Sequence, residues 1–263
     1  MYCEKCNKGY IYALDEKGEE IVYTCDCLIK FKEKKFKDIV FSKSKLPKFI
    51  KNYSLDKDYI GDDINKNLKL VKEFIKNFEE YNDISLYFYS SQRGNQKTTI
   101  AQYIMRELLY KKFDCRFMLM GDFLTILENE KFKEEASNLK DELLVCDLLI
   151  LDDCFDKQKN NMYKSGYQLS FIDKFLRNRL EILNKSTIFT SNYSINEIES
   201  ETFGINIPAL LKRNIQLYKY ELEFKDNIEE FKCKSNSFAI NNFKSRLHNS
   251  ISKKNIRVIK DSK

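Results

Sequence analysis

This sequence predicts an α/β fold, a parallel sheet covered by helices on both faces, with a small cysteine-paired ribbon in front of it. Three observations carry that prediction. Continuously apolar runs such as Leu148-Leu149-Ile150-Leu151 alternate with stretches of helical apolar spacing, as when strands buried on both faces are joined by crossover helices. Residues 86–103, LYFYSSQRGNQKTTIAQY, read as strand, polar turn and helix. At the N-terminus Cys3, Cys6, Cys25 and Cys27 bracket a stretch that alternates apolar and polar residues.

A chain of 263 residues can bury a substantial core, and seven Gly and two Pro argue against a linker-rich or collagen-like protein. MYCEKCNKG lacks the basic-then-apolar layout of a signal peptide, and the longest apolar run, Leu143 to Leu151, is broken by Asp147. A cytoplasmic protein without membrane contact is expected. The net charge of +6 is unevenly spread. Lys30 to Lys51 carries +7 and Lys244 to Lys263 carries +6, leaving about −7 on the rest. Basic segments on an acidic body suit contact with nucleic-acid phosphates, and equally serve as solubilising segments.

The elements follow in order. C-x2-C, eighteen residues, then C-x-C can close a tetrahedral Zn2+ site, and GYIYALDEKGEEIVYT between them reads as a hairpin turning at Lys17-Gly18, which sets both cysteine pairs at one end. Cysteines 115, 146, 154 and 233 read as packing residues. From Leu28 to about Asn82 the chain is helical and polar, broken at Pro47, with Leu68, Val71, Phe74, Ile75 and Phe78 on one face of a helix over 64–78. After the strand at Leu86 to Tyr89 and the helix opened by Lys97 come a strand from Cys115 to Met120, then Asp122 to Leu127 and a charged helix to about Asn138. Next come the strand Leu148 to Asp153, a helix carrying Phe171, Phe175, Leu176 and Leu180, and a strand at Thr187 to Thr190. A short helix from Ile207 to Arg213 and a strand from Leu217 to Phe224 complete the series, before a polar, basic tail. The expected divisions are 1–35 (ribbon), 36–82 (basic connector and packing helix), 83–228 (the α/β domain) and 229–263 (tail).

In a parallel sheet, sites gather at the carboxyl ends of strands. Four features stand at strand ends here: Lys97 and Thr98, Asp152 and Asp153, Asn192 after Thr190-Ser191, and Arg213 before the last strand. On the pattern G-x-x-x-x-G-K-[ST] the lysine and hydroxyl are Lys97 and Thr98, while Ser91 and Gln96 occupy the glycine positions. A helix N-terminus with a lysine can hold triphosphate oxygens, and a hydroxyl and a carboxylate can hold Mg2+. A second carboxylate can orient or deprotonate a water, and an asparagine can fix that water.

YSSQRGNQKTTIA, DLLILDDCF, STIFTSNYS and PALLKRN, in that order, resemble the nucleotide-binding motifs of AAA+ replicative helicase loaders of the DnaC/DnaI type, relatives of the IstB transposition helpers. CEKCNKGYIY with CDC resembles the zinc ribbon of DnaI-like and phage-encoded loaders. The resemblance implies an AAA+ P-loop ATPase that self-associates and delivers a ring-shaped replicative helicase onto single-stranded DNA, with ATP, Mg2+ and Zn2+ as cofactors. It implies that Gly94, Asn95, Gln96, Lys97, Thr98 and Thr99 cradle the phosphates, that Asp152 joins Thr98 on Mg2+, and that Asp153 serves hydrolysis. Asn192 would be the sensor, and Arg213 an arginine finger for a neighbouring subunit.

Gln96 is the main departure, since glycine before the lysine lets backbone approach phosphate without a Cβ. Strain at that position, and a gain in nucleotide affinity on Gln96→Gly, are expected. A nucleotide-binding adaptor with little turnover and a transposition helper are the alternative functions.

Overall fold

The computed structural model describes residues 3–58, 64–91, 94–129, 133–156, 166–198, 203–215 and 221–223. The chain opens with an antiparallel hairpin, β1 (Tyr10–Leu14) and β2 (Glu20–Thr24). Asp15 forms its turn by accepting the backbone N–H of Lys17 and of Glu19, each at 2.8 Å. Gly9, at φ +94°, is the one glycine here that close packing demands, because a Cβ would stand 2.7 Å from the Leu28 side chain. That contact seats the hairpin on the long helix α1 (Asp26–Lys43).

A 3-10 turn at Lys48–Asn52 and a single helical turn, α2 (Leu55–Asp58), lead to α3 (Ile64–Lys76). The anticipated apolar face of α3, through Phe78, is buried. The last carbonyls of α3, Ile75 and Lys76, accept Lys111 Nζ at 2.6 and 3.1 Å, which satisfies groups a helix leaves open at its end.

Alternation of strand and helix then builds the sheet: β3 (Leu86–Tyr89), α4 (Lys97–Tyr110), β4 (Cys115–Leu119), α5 (Met120–Asn129), α6 (Glu134–Val145), β5 (Leu148–Cys154), α7 (Gly166–Arg177), β6 (Ser186–Ser191), α8 (Asn206–Asn214) and β7 (Glu221–Glu223). The order across the sheet is β4-β5-β6-β3-β7, every pairing parallel. Side chains alternate between two cores, as the period of two requires. Leu86, Phe88, Leu148, Ile150 and Ile188 face α3 and α4 with Ile50 and Leu55. Tyr87, Leu149, Leu151 and Phe189 face Phe123, Leu127, Phe175, Leu176, Leu210 and Leu211. The expected α/β class is therefore the observed one.

Differences of detail have physical causes. Met120 begins α5 instead of ending β4, and the charged helix after it, α6, runs to Val145 rather than about Asn138. Its buried Leu143, with Leu139 and Leu144 packed beside the core, is diluted by acidic and amide residues that hide the period. Of the strand expected over 217–224, residues 221–223 are described. Cys233 and the basic tail lie outside the described residues, whereas Cys115, Cys146 and Cys154 are buried as expected.

A π-helical turn at Asn178–Ile182 aims Arg179 inward, fully buried. It donates to the carbonyls of Leu143, Leu144, Cys146 and Ser186 and to Thr187 Oγ1 at 2.6–3.0 Å, so each buried partner is satisfied. No helix among the described residues is long and apolar enough to cross a membrane.

Candidate nucleotide site

The carboxyl ends of β3, β5 and β6 meet the start of α4 around a pocket of about 660 Å3. Gly94, Asn95, Gln96, Lys97, Thr98 and Thr99 line one side, and Asp152, Asp153 and Asn192 the other. Nine of the sequence-derived positions, separated by up to 98 residues in the chain, therefore share one cavity.

The loop between β3 and α4 is bound up internally before it reaches the helix. Asn95 Nδ2 donates to Ser90 Oγ, and Lys97 Nζ donates to Asn95 Oδ1 at 2.9 Å and to Asn192 Oδ1 at 3.3 Å. The lysine is buried and its amine bridges the loop and the end of β6. Gly94 has φ +92° and Gln96 φ +61°, so the loop takes a left-handed backbone at both positions, one of them without a glycine. The first intrahelical bond of α4 runs from the Ile100 N–H to the Gln96 carbonyl at 2.8 Å. The residues ahead of it, Lys97 to Thr99, form the first turn of α4 and line the pocket, and a helix N-terminus attracts anions.

Opposite stands Asp152, at the end of β5. Its Oδ1 accepts Thr98 Oγ1 at 2.7 Å and Thr190 Oγ1 at 2.6 Å. Burial raises the carboxyl above the ordinary Asp range, opposed by those two hydroxyls and assisted by the nearby Asp153. A carboxylate and a hydroxyl within 2.7 Å of each other, beside the loop that opens α4, make a donor set suited to a hard divalent cation. Asp153 enters the same cavity through an irregularity: the β5–β6 pairing slips between Leu151 and Cys154, and Asp153 takes φ +59°. Its backbone N–H donates to Thr190 Oγ1 at 3.0 Å. Thr190 thus fixes both acidic residues. Its place at a strand end was visible in the sequence; its bridging role was not.

Arg213 does not line this cavity. It sits on α8, half exposed, with Nη2 2.6 Å from Glu181 Oε1. Three other residues come from outside the motifs: Leu119 and Asp156, which line the pocket, and Tyr53, whose hydroxyl donates to Gln96 Oε1 at 2.8 Å. Nothing in the sequence pairs position 53 with position 96, because the contact depends on how the connector folds over α4.

The N-terminal cysteines form a second cluster. Sγ of Cys3 lies 3.7 Å from Cys6 and 3.5 Å from Cys25, Cys6 lies 3.4 Å from Cys27, and all four sulfurs fall within 4.8 Å of one another. Ligands on a tetrahedral zinc at about 2.3 Å stand roughly 3.8 Å apart, so this donor set fits Zn2+.

No protein-family model matches the sequence, and a search of curated proteins finds no match. Solved structures do match in fold. A DNA replication initiation factor aligns with TM-score 0.56 at 18% identity over 73% of this chain and 55% of its own. DnaI aligns with TM-score 0.53 at 18% identity, over 69% of this chain and 92% of its own. The DnaC helicase loader aligns with TM-score 0.53 at 23% identity, over 68% of this chain and all of its own. This chain thus spans only about half of the first of these. At such identities the likeness is one of fold: a parallel sheet with helices on both faces.

Proposed function

We propose that this protein is a DNA-replication accessory ATPase, a helicase loader that binds ATP with Mg2+ and delivers a ring-shaped replicative helicase onto single-stranded DNA. The observation that carries the reading is the convergence of the Lys97 amine, the Thr98 hydroxyl and the Asp152 carboxylate in one cavity at the strand ends, with Asn192 against the lysine. Lys97 and the backbone of residues 94–99 would hold the triphosphate, and Thr98 and Asp152 would hold Mg2+. The metal, when bound, neutralises charge that develops on the phosphate oxygens. Asp153 would orient or deprotonate the attacking water, and Asn192 would position it. Arg213, outside the cavity of its own chain, would act as the arginine finger of a neighbouring subunit after leaving Glu181.

The cysteine cluster would hold Zn2+ and keep the hairpin rigid. Tyr12, Leu14 and Val22 are 52–68% exposed, and such a patch supports the ribbon as the helicase-contacting part, with the basic connector beside it. The AAA+ domain would contact single-stranded DNA. A nucleotide-binding adaptor with little turnover is the second reading, favoured by Gln96 in a left-handed backbone.

Two measurements test the proposal. ATP hydrolysis should be detectable and fall at least ~100-fold in Asp153→Asn, the scale of losing a positioned base. The protein should co-elute with a replicative helicase, and a variant lacking residues 1–35 should not. Turnover unchanged in Asp153→Asn would sink the assigned chemistry, and failure to bind any replicative helicase would sink the loading role.

A further inference from the structure

One hydroxyl ties the two acidic residues of the cavity to the strand that leads to Asn192. The β5–β6 ladder pairs Leu151 with Phe189 and resumes at Cys154 with Ser191, so three steps along β5 answer two along β6. Asp152 and Asp153 therefore both fall opposite Thr190. Thr190 is buried; its Oγ1 donates to Asp152 Oδ1 at 2.6 Å and accepts the Asp153 N–H at 3.0 Å. Next along β6, Ser191 Oγ donates to the Cys154 carbonyl at 2.9 Å.

A bulge takes ladder partners away from the backbone it displaces, and here side chains of the neighbouring strand replace them. Asp153 has φ +59°, a left-handed backbone disfavoured for a residue with a Cβ, so its bond to Thr190 holds a conformation the chain does not adopt by preference. At Asp152 the hydroxyls of Thr98 and Thr190 both bond to Oδ1, and neither to Oδ2. Those two hydroxyls are not equivalent. Thr98 can keep its proton on Asp152 and still offer an oxygen lone pair to a cation, whereas Thr190 already serves Asp152 with its proton and Asp153 with a lone pair. Thr190 thus orients both acidic residues without having to touch a ligand.

We propose that Thr190 is the positioning residue of the metal and water chemistry: its hydroxyl fixes Asp152 for a divalent cation and, through the Asp153 N–H, holds Asp153 at the cavity. The proposal rests on the nucleotide-site reading above and adds to it a residue that binds neither nucleotide nor metal. Asn192 follows directly on β6 and its Oδ1 accepts Lys97 Nζ at 3.3 Å, so one strand end sets the lysine and both acids in a common register. Two substitutions separate the hydroxyl from the shape of the side chain. Thr190→Val keeps the branched form and removes the hydroxyl, and Thr190→Ser keeps the hydroxyl and removes the methyl group.

The test is titration of the full chain with a non-hydrolysable ATP analogue, in EDTA and at a series of free Mg2+ concentrations. ATP hydrolysis at saturating Mg2+ and melting curves without nucleotide accompany it. Thr190→Val should raise the free Mg2+ needed for half of the gain in affinity about tenfold, the scale of one hydrogen bond to a charged group, and leave affinity in EDTA within about twofold of the parent. Turnover at saturating Mg2+ should fall about tenfold at unchanged KM, and Thr190→Ser should bring both values back to within about threefold. A parent-like Mg2+ requirement or a parent-like turnover in Thr190→Val would overturn the proposal, as would a Thr190→Ser variant no better than Thr190→Val. So would a nucleotide-free melting temperature of Thr190→Val more than ~8 °C below the parent, or affinity in EDTA lost with the rest, either of which would make Thr190 a structural strut. Lys97→Ala separates the two readings. If the parent binds no nucleotide, or no better than Lys97→Ala, the site reading itself fails; if Lys97→Ala loses binding while Thr190→Val matches the parent at every Mg2+ concentration, only this inference fails.

Discussion

Asp152 has its charge withdrawn from water and compensated by two hydroxyls, Thr98 at 2.7 Å and Thr190 at 2.6 Å. Burial with Asp153 alongside works against the ionised form, and a bound divalent cation would supply the missing compensation. Asp152→Asn keeps an oxygen that can accept both hydroxyls and removes the buried charge. The nucleotide-free protein should therefore melt ~2–4 °C higher, while Mg2+-dependent nucleotide affinity falls at least ~10-fold. Differential scanning fluorimetry with and without Mg2+ and nucleotide checks both signs. A variant that melts lower and binds unchanged would remove Asp152 from the metal site.

At the scale of elements, the connector is held to α4 chiefly through one side chain. Arg106, buried on α4, donates from Nη1 to the carbonyls of Ile50, of Lys51 at 3.2 Å and of Tyr53 at 2.8 Å, while its Nε pairs with Glu107 at 2.9 Å. Three carbonyls in and just after the 3-10 turn share that donor. Arg106→Met preserves the aliphatic stem and removes this donor, while the Ile50 carbonyl keeps the Tyr53 N–H at 3.2 Å. A loss of about 3 kcal/mol in urea unfolding is expected, with protease cleavage near residues 44–54 preceding cleavage of the sheet domain. Equal resistance of variant and parent to limited proteolysis would show that the apolar contacts of Ile50 and Leu55 hold the connector by themselves. α1 is fastened more loosely, through Lys51–Asp38 at 2.7 Å and the Lys37 ammonium 5.4 Å above the Tyr110 ring. Such exposed pairs contribute little each.

At the scale of the whole molecule, a small ribbon precedes a domain with two sheet-facing cores, and the two parts differ in what stabilises them. The hairpin has nearly all of its residues exposed, so its shape depends on the four-sulfur cluster and the seat of Gly9 on Leu28. Purified protein should hold one zinc per chain. Chelation, or Cys6→Ser, should abolish the metal and the hairpin's circular dichroism contribution, yet move the main melting transition by less than ~5 °C. Metal analysis and thermal melts decide it, and loss of the main transition on chelation would show that the ribbon supports the core. How far each part could be foreseen follows from the reach of the interactions that form it. The α/β class, the strands that lead to Lys97, Asp152 and Asn192, the buried face of α3 and the cysteine spacing were legible because each depends on local period or fixed spacing. The continuation of α6 to Val145, the slip that turns Asp153 inward, the bridge of Thr190 and the grip of Tyr53 on Gln96 were not. By itself the sequence determined which residues could hold phosphate, magnesium and zinc, since that capacity belongs to side-chain chemistry and local order along the chain. Only the tertiary structure decided that Gln96 would keep a left-handed backbone with one amide donor idle, because that outcome depends on a hydroxyl 43 residues away that packing alone brings within 2.8 Å.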